Sequence, residues 1–192
     1  MKYVEGGTMT TIWGMRSLGI SPTDGKEIYL RSDGTMTYDW NASDQMILGD
    51  TEPKAQGAFG LNFAYKGFSL YATFLYEWGA QAYNQTLVDK VESVDLMKYN
   101  ADKRVLTERW NVFGQVTRLK ALSDRNETTR PTSRFVQDNN TLEFNSFTLA
   151  YEFSNKLLAP INLSMLRVQF NMNNIARISS IHQERGLSYP YA

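Results

Sequence analysis

The chain has 192 residues, is 42% hydrophobic and 13% aromatic, and balances 20 Lys+Arg against 20 Asp+Glu. Zero net charge argues against a nucleic-acid binder, which needs a basic face. With no cysteine and the single histidine His182, disulfides, zinc ribbons, thiol nucleophiles and His-rich metal sites are excluded.

The opening residues 1–7 carry no apolar run, so they do not read as a signal peptide. No stretch approaches the ~20 apolar residues of a membrane helix. A transmembrane β-barrel is not excluded by that, because its signal per strand is much weaker.

The first alternating run is faint: Met9, Thr11, Trp13 and Met15 against Thr10, Ile12 and Gly14. A long link follows over residues 14–54, rich in turn signals at Pro22-Thr23-Asp24-Gly25, Ser32-Asp33-Gly34 and Leu48-Gly49-Asp50. Then the pattern sharpens. Phe59, Leu61, Phe63 and Tyr65 alternate with Gly60, Asn62 and Ala64. After Lys66-Gly67, Phe68, Leu70, Ala72, Phe74, Tyr76 and Trp78 alternate with Ser69, Tyr71, Thr73, Leu75 and Glu77. Side chains alternate faces along a strand, so each run has one apolar face, and the short Gly-containing link predicts a β-hairpin.

Residues 79–140 form a link of about sixty residues without strong periodicity, with one weak helix candidate at residues 87–97. Two further strands are predicted. One places Phe147, Leu149, Tyr151 and Phe153 on one side, and the other places Leu166, Val168, Phe170 and Met172 there. The link between them, Asn155-Lys156-Leu157-Leu158-Ala159-Pro160, has room for a short helical turn.

Three features favour a membrane barrel over a soluble sandwich. Ala55–Tyr65 and Phe68–Trp78 have the ~9–11 residues that a tilted strand needs to cross a bilayer. The hairpin holds only Lys66 and Glu77 as charges. Tyr65, Tyr76 and Trp78 stand at its ends, where barrels carry aromatic girdles. Links also alternate long and short, as in an up-and-down barrel with long extracellular loops. The rival reading is a soluble, secreted β-sandwich that binds carbohydrate. It requires Phe59 and Phe74 to be buried.

Scattered carboxylates (Asp39, Asp44, Asp50, Glu52, Asp89, Glu92, Asp95) show no spacing that singles out a catalytic pair. They read as a solvated acidic loop, and His182 as a surface residue. Arg118, Arg125, Arg130 and Arg134 share the long link with Trp110 and Phe113. Arginine pairs with carboxylates and hydroxyls while aromatic faces stack on sugar rings, so Trp110, Arg118 and Arg134 are the candidate contacts for a ligand or partner. No catalytic residue, cofactor or metal is expected, and the chain reads as a non-enzyme.

Short motifs then accumulate in order. They are Gly19-Ile20-Ser21-Pro22-Thr23-Asp24-Gly25, Leu48-Gly49-Asp50-Thr51-Glu52-Pro53-Lys54, and Tyr65-Lys66-Gly67-Phe68-Ser69-Leu70. Arg109-Trp110 with Gly114-Gln115-Val116-Thr117 follows, then Arg130-Pro131-Thr132-Ser133-Arg134-Phe135-Val136-Gln137-Asp138, Thr148-Leu149-Ala150-Tyr151 and Leu166-Arg167-Val168. The last is Glu184-Arg185-Gly186-Leu187-Ser188-Tyr189-Pro190-Tyr191-Ala192. Together they resemble the C-terminal part of a SusC/RagA-type TonB-dependent outer-membrane transporter of the Bacteroidota. Gln137 stands where the family has an acidic residue, Ala150 where it has Gly, and Phe113 where it has Pro.

The resemblance implies an all-β fold. Residues 1–192 would form about five antiparallel strands of a plugged barrel of about 22 strands. The plug and the TonB-contacting segment would precede the chain, and a final strand would follow it. It further implies nutrient import across the outer membrane, of an oligosaccharide or a peptide, with a SusD-like surface lipoprotein and with TonB. Phe59, Leu61, Phe63, Leu70, Phe74, Leu149, Leu166, Val168 and Phe170 would then face lipid. Asn62, Thr73, Arg167, Gln169 and Asn171 would face the lumen.

Overall fold

The computed structural model describes residues 4–124 and 129–181. His182, Arg125 and the terminal motif at residues 184–192 lie outside them. The chain divides into two units. The fold is all-β, with antiparallel pairing throughout the large sheet, the small meander and the pair formed by Thr11–Gly14 with Met46–Asp50.

Among the described residues, the first unit spans 4–52 and 81–137. Here β1 (Thr11–Gly14) pairs with β5 (Met46–Asp50), while β2 (Arg16–Ile20), β3 (Glu27–Leu30) and β4 (Met36–Thr37) form a small meander. The faint run at Met9–Met15 therefore becomes a short strand outside the large sheet. A register shift after Ile12 and a fully buried Met15 interrupt it.

The second unit holds residues 53–80 and 138–182. It is built on β6 (Ala55–Tyr65) and β7 (Phe68–Trp78), whose bounds agree with the alternation in the sequence. Between them Lys66 and Gly67 have φ of 44° and 88°. Two consecutive positive φ values give a turn whose twist matches that of the strands. A Cβ at position 67 would stand 2.6 Å from the Glu152 carbonyl oxygen.

In the first unit's second half, β8 (Gln81–Tyr83) pairs with β9 (Val136–Asp138). The predicted helix at 87–97 is shorter and earlier. Asn84 accepts from the Leu87 N–H at 2.9 Å and caps α1 (Gln85–Leu87), which runs into a π-helical turn at Val88–Glu92. A second short helix, α2 (Arg104–Thr107), follows. Val91, Val94, Val105 and Leu119 form this unit's apolar core, with Leu87 and Leu96 packed against it.

The large sheet is completed by β10 (Thr141–Glu152) and β11 (Arg167–Ser179), giving the order β11-β10-β7-β6. The link between them includes α3 (Asn155–Leu158), the expected helical turn. Two bulges accumulate across this sheet. Phe74 and Thr73 of β7 pair with Phe144 and Ser146 of β10, so β10 carries the extra residue Asn145. Phe144 and Ser146 in turn pair with Ala176 and Asn173 of β11, which therefore carries one more. Asn174, inside that second bulge, has φ 52°. Asn is among the few residues that tolerate the left-handed region.

Candidate functional site

The register sorts the large sheet into two unlike faces. Phe59, Leu61, Phe63 and Tyr65 pair with Phe74, Ala72, Leu70 and Phe68. The same face continues through Phe144, Phe147, Leu149 and Tyr151 of β10 to Ala176, Met172, Phe170 and Val168 of β11. Phe74 stacks on Phe59 at 5.0 Å and on Phe144 at 4.8 Å, making an aromatic row across three strands. Near the hairpin turn, Phe68 meets Tyr151 at 4.5 Å, and Tyr151 meets Phe153 at 4.8 Å.

Eight of the nine residues expected to share a face do so. Leu166 lies just before β11, where its carbonyl accepts from the Phe153 N–H at 3.0 Å. This face is bare: Leu61 is 58% exposed, Phe63 61%, Val168 58% and Phe170 55%. Phe59 is half exposed, contrary to the burial that a soluble sandwich requires.

The opposite face carries Asn62, Thr73, Arg167, Gln169 and Asn171, paired with polar or small partners. Thr148 and Gln169 both donate to Asn171 Oδ1, at 2.9 and 2.8 Å. Arg177 pairs with Glu143 opposite it at 3.2 Å.

The loop arginines of the first unit have different fates. Arg134 donates through Nη2 to Glu27 at 2.7 Å and to Glu92 at 2.8 Å, and through Nη1 to the Arg118 carbonyl at 2.6 Å. Both carboxylates are buried, Glu92 completely. Burial works against the guanidinium charge, but the two carboxylates prevail and raise the Arg134 pKa above its ordinary value. Burial, with the Glu27 charge second, pushes the Tyr83 phenol up to about 12.

Arg109, also buried, donates to the carbonyls of Val91, Glu92 and Lys120 at 2.8–3.0 Å. Trp110 is half-buried. Its indole N–H donates to the Pro22 carbonyl at 3.1 Å, and its ring lies so close to Gly25 that a Cβ there would stand 2.6 Å from it. Arg118 alone of the three candidate contact residues has an exposed side chain.

Two expectations change here. Glu92 is not part of a solvated acidic loop, and the sequence reading missed Glu27 and the structural part played by Arg109. The dipeptide Arg109-Trp110 was the only local signal of that cluster. Gln137 accepts from the Asn84 side-chain N–H at 3.0 Å, a role that a carboxylate would also fill. No group of three or more metal-ligating side chains occurs among the described residues. None of their helices is long and apolar enough to cross a membrane.

The class defined so far is an all-β antiparallel fold with a long-stranded sheet exposed on its apolar side. Solved structures share that fold. The RagAB peptide importer in its open-open state aligns at 21% identity and a TM-score of 0.75. The closed-closed state aligns at 21% and 0.73, and the RagAB peptide transporter at 22% and 0.73. Each alignment covers 88% of this chain and 19% of the other, so the chain spans about a fifth of those chains. No family model matches the chain. No curated protein matches it either.

Proposed function

We propose that the chain is the C-terminal barrel portion of a SusC/RagA-type TonB-dependent importer in the outer membrane. Its large sheet contributes strands to the barrel wall, and its first unit forms extracellular loops. The complete transporter would take up an oligosaccharide or a peptide. A SusD-like lipoprotein would help to capture it, and TonB would act through a plug domain. The description of the structural neighbours as peptide importers favours the peptide. No step requires a catalytic residue or cofactor of this chain.

The observation that carries this reading is the bare apolar face, continuous over four strands of 11 to 13 residues. In water that area would have to be covered, whereas in a bilayer it is the required surface. The eight expected residues that share this face, Phe59 through Phe170 without Leu166, are then the lipid contacts. Asn62, Thr73, Arg167, Gln169 and Asn171 line the lumen. Among the loop residues, Arg118 is the one poised to meet a ligand, while Arg134 and Trp110 hold the loops in shape.

Fractionated cells test this. A heat-modifiable outer-membrane band carrying the chain is expected on unboiled gels, and a soluble band near 22 kDa would overturn the reading in favour of a soluble module.

A further inference from the structure

The link between β10 and β11, residues 153–166, exposes four large apolar side chains within ten residues. Leu157 is 62% exposed, Ile161 60%, Leu163 46% and Met165 68%. The segment is well formed: Leu157 donates to Ser154, Asn162 to Ala159 and Leu163 to Leu158, all through the backbone. Leu158 is its buried footing. Its two ends are tied together by the bond from the Phe153 N–H to the Leu166 carbonyl. That bond sits beside the aromatic cluster of Phe68, Tyr151 and Phe153, at the same end of the sheet as the Lys66-Gly67 turn.

We infer that residues 153–166 form an interfacial anchor lying against the bilayer, with Leu157, Ile161, Leu163 and Met165 in the headgroup–acyl boundary and Lys156 facing anionic lipid headgroups. This rests on the barrel reading. Two observations choose lipid as the occupant. First, the segment leaves and re-enters the sheet at the aromatic end of its apolar face, where a barrel's girdle meets the headgroups. Second, the charges there suit an anionic surface. Glu152 is matched by Arg167 across the strands, which leaves Lys66 and Lys156 in excess. The Lys66 ammonium lies 5.1 Å from the Tyr65 ring centre, as at a membrane interface. Exposed apolar side chains with flanking lysine are the pattern of an interfacial segment.

This chain holds no cysteine, and any cysteine elsewhere in the complete transporter is first replaced by serine. Single cysteines replace Leu157, Ile161 or, as a barrel reference, Leu61 in the full chain within its complete transporter. Each carries an environment-sensitive fluorophore in nanodiscs of phosphatidylethanolamine with or without phosphatidylglycerol. Labels at 157 and 161 are expected to be quenched at least about twofold more by a nitroxide near the headgroup than by one deep in the acyl chains. The Leu61 label should show the opposite preference. Lys156→Glu should remove the gain in quenching that phosphatidylglycerol brings. If Leu61 labels are quenched but 157 and 161 are not, the anchor is refuted and the barrel stands. If none is quenched, the barrel reading falls and the anchor with it. A blue-shifted but unquenched label at 161 means protein covers the segment, which also overturns the anchor.

Discussion

Arg134 ties distant loops of the first unit together. Arg134 joins Glu27, 107 positions before it, to Glu92, 42 positions before it. Replacing it with methionine leaves two buried carboxylates without their cation, an error costing about 3–5 kcal/mol. Hydrogen exchange in the full transporter should then show the amides of Leu119 and Ala121 losing protection. Arg134→Lys should lose part of it, since one ammonium cannot reproduce the fork. A milder effect belongs to Asp102, whose pKa is held below 3.8 chiefly by its hydrogen bond from Arg104. A depressed carboxyl pKa stabilises the fold above that value, and the contribution disappears as pH falls through the folded pKa. Protection of the amides at residues 104–108 should therefore decline below about pH 4, and Asp102→Asn should abolish that dependence.

Strands were legible where the chemistry is local. The hairpin could be read residue by residue because a period of two and a glycine turn need no distant partner. The loop cluster could not, because nothing near Glu92 in the sequence announces Arg134. The β10 pattern was legible only from Phe147 onward, since Asn145 shifts the parity before it. The turn yields its own test. Gly67→Ala adds a methyl group to a residue at positive φ and beside a carbonyl, and should cost about 1–3 kcal/mol. The yield of heat-modifiable barrel should fall. Lys66→Asn, suited to the same backbone, should fold at least as well.

For the molecule as a whole, the decisive contrast is between the faces of one sheet. On the barrel reading, Leu61→Arg or Phe74→Arg should cost ~2–4 kcal/mol near the membrane midplane, and Gln169→Arg much less. Denaturant titration of the transporter in detergent or lipid would measure both. Equal losses would mean that the faces have been assigned wrongly. The all-β class and this facial contrast were both present in the sequence, because a strand whose two faces meet different surroundings carries that difference in alternate residues. Substrate identity was not, since Arg118 is one exposed side chain in loops whose shape depends on long-range ion pairs.

The paired bulges give the sheet something like a reading frame. Removing Asn145 alone would return β10 to strict alternation with β7. Leu142 and Phe144 would keep their places opposite Tyr76 and Phe74, and Ser146 its place opposite Thr73. The mismatch would pass to β11, where Asn174 and Ile175 would both stand unmatched against a regular β10. Length changes in these two strands should therefore be tolerated only in company. A deletion at Asn145 becomes harmless when a residue is lost from the bulge at Asn174 as well, which restores the one-residue offset between β10 and β11. Insertions and deletions in such a wall would travel from strand to strand like a dislocation, whereas substitutions stay where they fall.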